Sequence, residues 1–415
     1  MHRIKRNYDS TKPSAVISAP YHEIMGILKV QFEKVCLKNF RKMTLSILLI
    51  LIIGFLSANV VYAVELTTTL PVRAGTMATD SGTGEIFVTT IVTYVNQIGM
   101  KVDNLNNSVS VISDSDNSVV ATVTVGDGPT ALVYDSEKGE IFVANQASGT
   151  VSVISDSNYT VAATIDLKTD LNYHGPTALA YDSGKGEIFA CDQSSGIISV
   201  ISDNTNKVIA TLPLGINPGP SELIYDSGKD EILVIYADSK NLSTSNFIKV
   251  ISDSTNKVIA TVPLNNFPSP YAAYDYGKGE IFVSNPFDDT ISVISDSNYT
   301  VVATIPVGNA PVGLAYDSST GTIFVANSAD NTVSVISDST NTVLGTVPVG
   351  NRPVQLVHDS GKGEIFIRNS DSISVLSVSS LPFVSPLPTT SMSPTPTVPE
   401  FSVQVLILVI ALTLQ

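Results

Sequence analysis

The chain has 415 residues, a net charge of −15, 43% apolar residues, no Trp and two Cys. The acidic balance repels phosphate backbones and anionic lipid surfaces, so nucleic acid is not an expected partner. Two isolated cysteines, Cys36 and Cys191, exclude a small disulfide-built scaffold.

The first 63 residues hold nine Lys+Arg against three Asp+Glu, so the remainder carries 14 basic and 35 acidic residues, near −21. Lys38, Arg41 and Lys42 precede an apolar run, Thr44–Leu56, and then SANVVYA. Basic flank, apolar core and small residues at Val61 and Ala63 predict a secretory signal cut after Ala63, with an uncleaved membrane anchor as the alternative. The leader ahead of the apolar run is long for such a signal, and Met25 or Met43 is the alternative start.

From 64 to 379 one pattern recurs. An Asp closes the first run of each copy: Asp80, Asp135, Asp182, Asp226, Asp275, Asp317 and Asp359. In the sixth copy the runs are PVGLAYD, TIFVAN, TVSVISD and TVLGTVPVG, separated by turns rich in Gly, Ser, Asn and Asp. β-Branched residues with polar–apolar alternation predict four short strands per copy. A period of 40 to 50 residues with four strands predicts an all-β, seven-bladed β-propeller of four-stranded antiparallel blades. The seventh copy stops after three runs, whereas ELTTTLPVRAG (Glu65–Gly75) looks like a fourth run placed before any first one. The expectation is that this N-terminal strand completes the last blade and leaves no open edge.

The copies resemble the YVTN family of β-propeller repeats found in archaeal and bacterial surface proteins. The resemblance rests on IFVAN at Ile141–Asn145 and Ile323–Asn327, followed by TVSVISDS and VATIPVG, and covers roughly Val64–Ser379. It implies a surface-protein scaffold and says little about activity. The absence of Trp sets the chain apart from tryptophan–aspartate propellers. Residues 380–398 form a Pro/Ser/Thr-rich linker that stays extended. Residues 399–415, with Pro399-Glu400-Phe401 and the apolar run Val403–Leu414, resemble the PEF-type C-terminal sorting tail of archaeal proteins. That resemblance implies archaeosortase processing and membrane attachment at the cell surface. The apolar run is too short to span a bilayer of about 30 Å, so the reading expects a truncated tail.

Few residues suggest chemistry. His174 lies in a connection, and His358 occupies a column that is Tyr elsewhere, so no metal site is expected. Cys191 replaces the Ala of FVAN and reads as a buried structural thiol. The recurrent Asp reads as a turn stabiliser that accepts backbone N–H groups. Calcium on the Ser-Asp-Ser turns is a weak alternative, because the alternating ligand pattern of a dedicated loop is missing. No cofactor is expected.

Connection lengths are more informative. Phe142 to Val151 spans nine steps, but Phe87 to Val109 spans 22 and Leu233 to Ile248 spans 15. Leu167 to Pro176 spans nine against four for Val307 to Pro311. Strand alternation puts all three insertions on one face, and loops on rigid scaffolds carry binding. The candidates on this elaborated face are Tyr94, Met100, Lys101, Tyr173, His174, Tyr236, Lys240 and Phe247; the alternative is neutral insertions. The first insertion also has the composition of an extra hairpin. Sequons at Asn106, Asn158, Asn241 and Asn298 are candidate glycosylation sites. The expected function is a non-catalytic, exported binding or envelope module with a protein or glycan partner. A lactonase-like or metal-dependent propeller enzyme is the alternative.

Overall fold

The computed structural model describes residues 15–16, 61–80, 82–95, 101–167, 175–215, 220–236, 246–264 and 271–381. Seven antiparallel sheets follow one another along the chain. Blade 3 is typical, with strands Ala178–Asp182, Glu187–Asp192, Ile197–Ser202 and Lys207–Pro213 paired in that order. The first strands of successive blades touch in a closed ring, so they are innermost and line the axis. The fourth strands form the rim, where Ile209 and Ile259 are exposed.

The second strands carry most of the cohesion. Their Ile and Phe sit side by side in sequence and so point to opposite faces of the blade. Phe87 packs with Ile141 of the next blade, Phe142 with Ile188, Phe189 with Ile232 and Phe324 with Ile365, all fully buried. Phe366 meets Ile86 and closes the ring between blades 7 and 1. Each sheet thus supplies half of two cores, which is why no blade is stable without neighbours. Emptying one such Phe pocket costs about 3–5 kcal/mol.

The closing strand is where the sequence places it. Val61–Leu70 pairs antiparallel with Ile373–Leu381, from Val61 opposite Leu381 to Leu70 opposite Ile373. Its register slips by one residue between Leu66 and Thr68. The same slip separates the third and fourth strands of the other six blades, for instance at Val250/Ile251 and Val335/Ile336. A bulge on the outer strand bends it away from edge-to-edge pairing. A two-residue strand, Ala15–Val16, adds outside it opposite Val64 and Ala63.

One face of the ring is regular. Each of the seven strand-one aspartates is buried, and each accepts the N–H two residues on: 2.9 Å for Gly82 on Asp80, 2.8 Å for Gly277 on Asp275, 2.9 Å for Gly361 on Asp359. The turn role read from the sequence is therefore met. The Tyr of the following blade also lies near this carboxylate, Tyr181 by Asp135 and Tyr316 by Asp275, and burial, reinforced by the carboxylate's charge, raises both phenols. His358 holds the same column, 3.6 Å from Asp317, with burial lowering its imidazole. Five lysines cross to the next blade's third-to-fourth turn: Lys138–Asp203 (3.2 Å), Lys185–Asp253 (3.3 Å), Lys229–Asp296 (3.4 Å), Lys278–Asp338 (3.7 Å) and Lys362–Asp114 (3.1 Å).

Candidate binding face and channel end

The opposite face is built from second-to-third and fourth-to-first connections. In blades 2, 5, 6 and 7 the tight second-to-third turn is held by an Asn just after or at the end of strand two. Asn145 Nδ2 donates to Thr150 Oγ1 at 3.1 Å and Ser152 Oγ at 2.9 Å; Asn327 bonds Thr332 and Ser334 at 3.0 and 2.8 Å. Asn285 and Asn369 repeat the arrangement. In blade 3, Asp192 accepts the N–H of Ser194 at 2.8 Å instead. Blades 1 and 4 lack the clamp, and they are the two with long connections. Thr90 stands at the Asn position in blade 1 and Tyr236 in blade 4.

In blade 1 the extra residues extend the sheet. Strands Glu85–Val95 and Lys101–Ser113 pair as far as Val95 opposite Lys101, with Tyr94 opposite Val102, so the insertion is a hairpin. In blade 4 the clamp is replaced as a unit. Asn, Thr and Ser become Tyr236, Phe247 and Lys249. The two rings stack at 4.5 Å between centroids. Lys249 Nζ lies 4.9 Å from the Tyr236 ring and donates to the Leu214 carbonyl at 2.6 Å, tying blade 4 to the preceding connection. Burial lowers this ammonium.

Tyr236 needs correction as a surface candidate. It is 1% exposed, in the core with Cys191, Phe189 and Ile232, because the loop begins after it rather than at it. Phe247 is half-buried against the same core. Met100, Tyr173, His174, Lys240 and Asn241 lie outside the described residues, and for Tyr94 and Lys101 only the backbone is described. Asn106, Asn158 and Asn298 are exposed. Asn158 and Asn298 are in plain-face turns, where each Oδ1 accepts the hydroxyl of the sequon Thr, at 2.6 and 2.7 Å. Cys191 is fully buried, its Sγ 3.4 Å from the Pro220 carbonyl, and burial pushes the thiol up to about 12. Among the described residues no group of three or more His, Cys, Asp or Glu could hold a metal ion.

The sequence reading missed a polar group inside the ring. Four residues before each strand-one Asp stand Thr76, Ala131, Ala178, Glu222, Tyr271, Gly313 and Gln355. This column sits toward the elaborated end of the innermost strands and faces the next blade. Gln355 Oε1 accepts the Met77 N–H at 3.1 Å, and its Nε2 donates to Thr76 Oγ1 at 3.3 Å. Glu222 accepts the Ala272 N–H in the equivalent way, with burial holding its carboxyl well above the usual carboxylate range. Burial raises the Tyr271 phenol against the Arg368 guanidinium beside it. Arg368 ends strand two of blade 7, where other blades carry Thr, Ala, Cys, Ile or Ser. Aligning the repeats by column, rather than scanning for motifs, would have found it.

No protein-family model matches the chain, and no curated protein matches it. Among solved structures, Kuenenia stuttgartiensis hydrazine synthase has a chain similar to this one, with a TM-score of 0.61 over 74% of this chain and 96% of that chain. At 14% identity the likeness is one of fold alone, the seven-bladed propeller.

Proposed function

We propose that this chain is an exported, non-catalytic propeller of the YVTN type, held at the cell envelope by its C-terminal tail, which binds a protein or glycan partner through its elaborated face. One observation carries the reading. The two blades with neither the Asn clamp nor the Asp that takes its place in blade 3, at Thr90 and Tyr236, are those with the added hairpin and the added loop, and both additions emerge on the same face. Clamp-free connections on a rigid ring vary without disturbing the cores beneath, as a recognition surface requires. The signal-like segment before Ala63 and the Pro-rich segment after 379 support an exported, tethered placement.

The test uses the full-length protein and a variant whose residues 91–104 are replaced by the four-residue turn of blade 6. Fractionation places the wild type in the envelope, and purified envelope polymer retains it but not the variant. Wild-type protein recovered in the cytoplasm, or equal retention of the two proteins, overturns the reading.

A further inference from the structure

The channel end has a charge arrangement that the fold does not need. At the column of Arg368 the other blades use Thr89, Ala144, Cys191, Ile235, Ser284 and Ala326, all uncharged and, as described, buried. A ring of this kind closes with uncharged residues from Ala to Ile there, so the guanidinium is not a packing requirement. Its Nη1 is 3.5 Å from the Ala74 carbonyl, a long contact, and its Nε has no hydrogen-bond partner. None of the described ion pairs includes it. A secluded guanidinium with no carboxylate is costly, and a planar anion offsets that cost with two parallel bonds.

The neighbours add shape and polarity. Tyr271 reaches Arg368 from blade 5, past Gly313 of blade 6, where a Cβ would lie only 2.6 Å from the Val354 carbonyl. Glu222 enters from blade 4, with Oε2 buried and unpartnered. On the other blades this column is Ala131, Ala178 or Gly313, or the satisfied Gln355–Thr76 pair. Large polar groups therefore gather on blades 4, 5 and 7, with Gly313 leaving room between the last two, and the small Ala131 and Ala178 belong to blades 2 and 3. The contents are one cation, one phenol, and one carboxyl with a free oxygen.

We propose that this end of the channel binds a small hydroxylated carboxylate of the hydroxy-acid or sugar-acid class, its carboxylate on Arg368 and Tyr271 and a hydroxyl on Glu222. The site belongs to the channel and not to the loops, so it stands or falls separately from the partner-binding reading.

The experiment titrates full-length protein with gluconate, glucuronate and glycolate, with glucose as the uncharged control, by calorimetry and thermal shift. Wild-type protein binds at least one of the acids and not glucose. Arg368→Met loses tenfold or more in affinity, about 1.4 kcal/mol. Tyr271→Phe loses a few-fold, and Glu222→Ala weakens gluconate and glucuronate, with their several hydroxyls, more than glycolate, with its single one. A readout that needs no variant is the Arg368 Nε–H resonance of the wild type, which moves on saturation. No binding of any acid by the wild type, full binding by Arg368→Met, or an unmoved resonance overturns the proposal. Trimming residues 91–104 leaves acid binding unchanged, which separates this site from the face above it.

Discussion

The two faces of the ring differ in how their interactions are wired. On the plain face they cross seams: Lys185 of blade 3 holds Asp253 of blade 4, and Tyr316 of blade 6 lies by Asp275 of blade 5. On the elaborated face the clamp is private to a blade, as when Asn327 bonds Thr332 and Ser334 of the same sheet. A change on the plain face leaves a neighbour's charge unmatched, whereas a change in a clamp does not. The columns accordingly hold on one face and break on the other. Thr83 of blade 1 breaks the Lys column and leaves Asp156 without a lysine, whereas the remaining exception follows the wiring. Blade 6 has Thr320 in the Lys column, and blade 7 has no third-to-fourth turn to receive a lysine because its outer strand comes from the other end of the chain. Thr320 bonds its own Asp317 at 2.7 Å instead.

The strongest way to break this comparison is to open the ring on which it depends. Deleting residues 61–70 removes the strand paired with Ile373–Leu381 and uncovers the core around Val64 and Leu376. Cooperative folding should be lost, with a broad urea transition replacing a single one. A sharp transition of unchanged midpoint would mean that closure is dispensable.

Next in size is a matched pair of changes, one per face. Asp275→Ala strips acceptors from the N–H groups of Gly277 (2.8 Å) and Lys278 (3.2 Å) and leaves the Tyr316 phenol without its carboxylate. Two part-buried bonds and a half-buried phenol's carboxylate neighbour go together, for about 2–3 kcal/mol. Trimming the blade 1 hairpin should change stability by no more than about 0.5 kcal/mol, because surface insertions are weakly coupled to folding. Urea midpoints measure both, and equal effects would erase the distinction between faces.

Much of this was legible in the sequence, and the reason is repetition. Blade count, strand order and the turn role of Asp follow from columns in which the copies agree, and the closing strand follows from the seventh copy, which stops one run short. The Lys–Asp seam pairs were visible as two further columns, but their members lie far apart in the chain, and only the ring shows that they meet. Tyr236 was misplaced because the long loop was measured from it; counting by column puts it at the buried Asn position. The channel group was hidden for the opposite reason. Glu222, Tyr271 and Arg368 are each a single departure in a different copy, and convergence across an axis leaves no periodic trace.

pH separates the seams further. Asp156 faces Asp80, Tyr134 and Glu140, and its own seam has Thr83 where five others have lysine. Burial raises Asp156, opposed by the Tyr134 hydrogen bond and reinforced by Asp80. Asp182 is raised in the same direction by burial and by Asp253. An acid raised in the folded state binds its proton more tightly there, so stability is highest below the unfolded carboxylate value and falls as pH rises through the folded one. Asp317 runs the other way: burial would raise it, but Ser319, Thr320 and His358 outweigh burial and lower it, so its contribution is lost as pH falls through its folded value. Melting temperature should therefore rise modestly from neutral pH toward the carboxylate range before falling in stronger acid. Asp156→Asn, which mimics the protonated form, should flatten the neutral limb. A flat wild-type profile, or an unaltered slope in the variant, would discount the carboxylate crowding.

The smallest effect tests a single departure on the regular face. The turn after strand one needs a left-handed residue, supplied by Gly139, Gly186, Gly279, Gly321 and Gly363 at φ near +65°, but by Asp230 at +55° in blade 4. A residue with a Cβ costs about 1 kcal/mol more than Gly in that region. Asp230 offsets part of this by accepting the Tyr225 hydroxyl at 3.0 Å, an exposed bond of modest worth. Asp230→Gly relieves the backbone and loses the bond, for a net gain of no more than about 1 kcal/mol. Asp230→Ala keeps the strain and loses the bond, and is destabilised by a similar amount. The two variants lack the same carboxylate, so the difference between their urea midpoints isolates the backbone term. If both lose stability equally, the left-handed turn of blade 4 carries no strain that glycine relieves; if the glycine variant loses stability but less than the alanine variant, the Tyr225 bond outweighs the strain, and blade 4 has replaced its turn glycine with a side-chain contact much as it replaced its clamp.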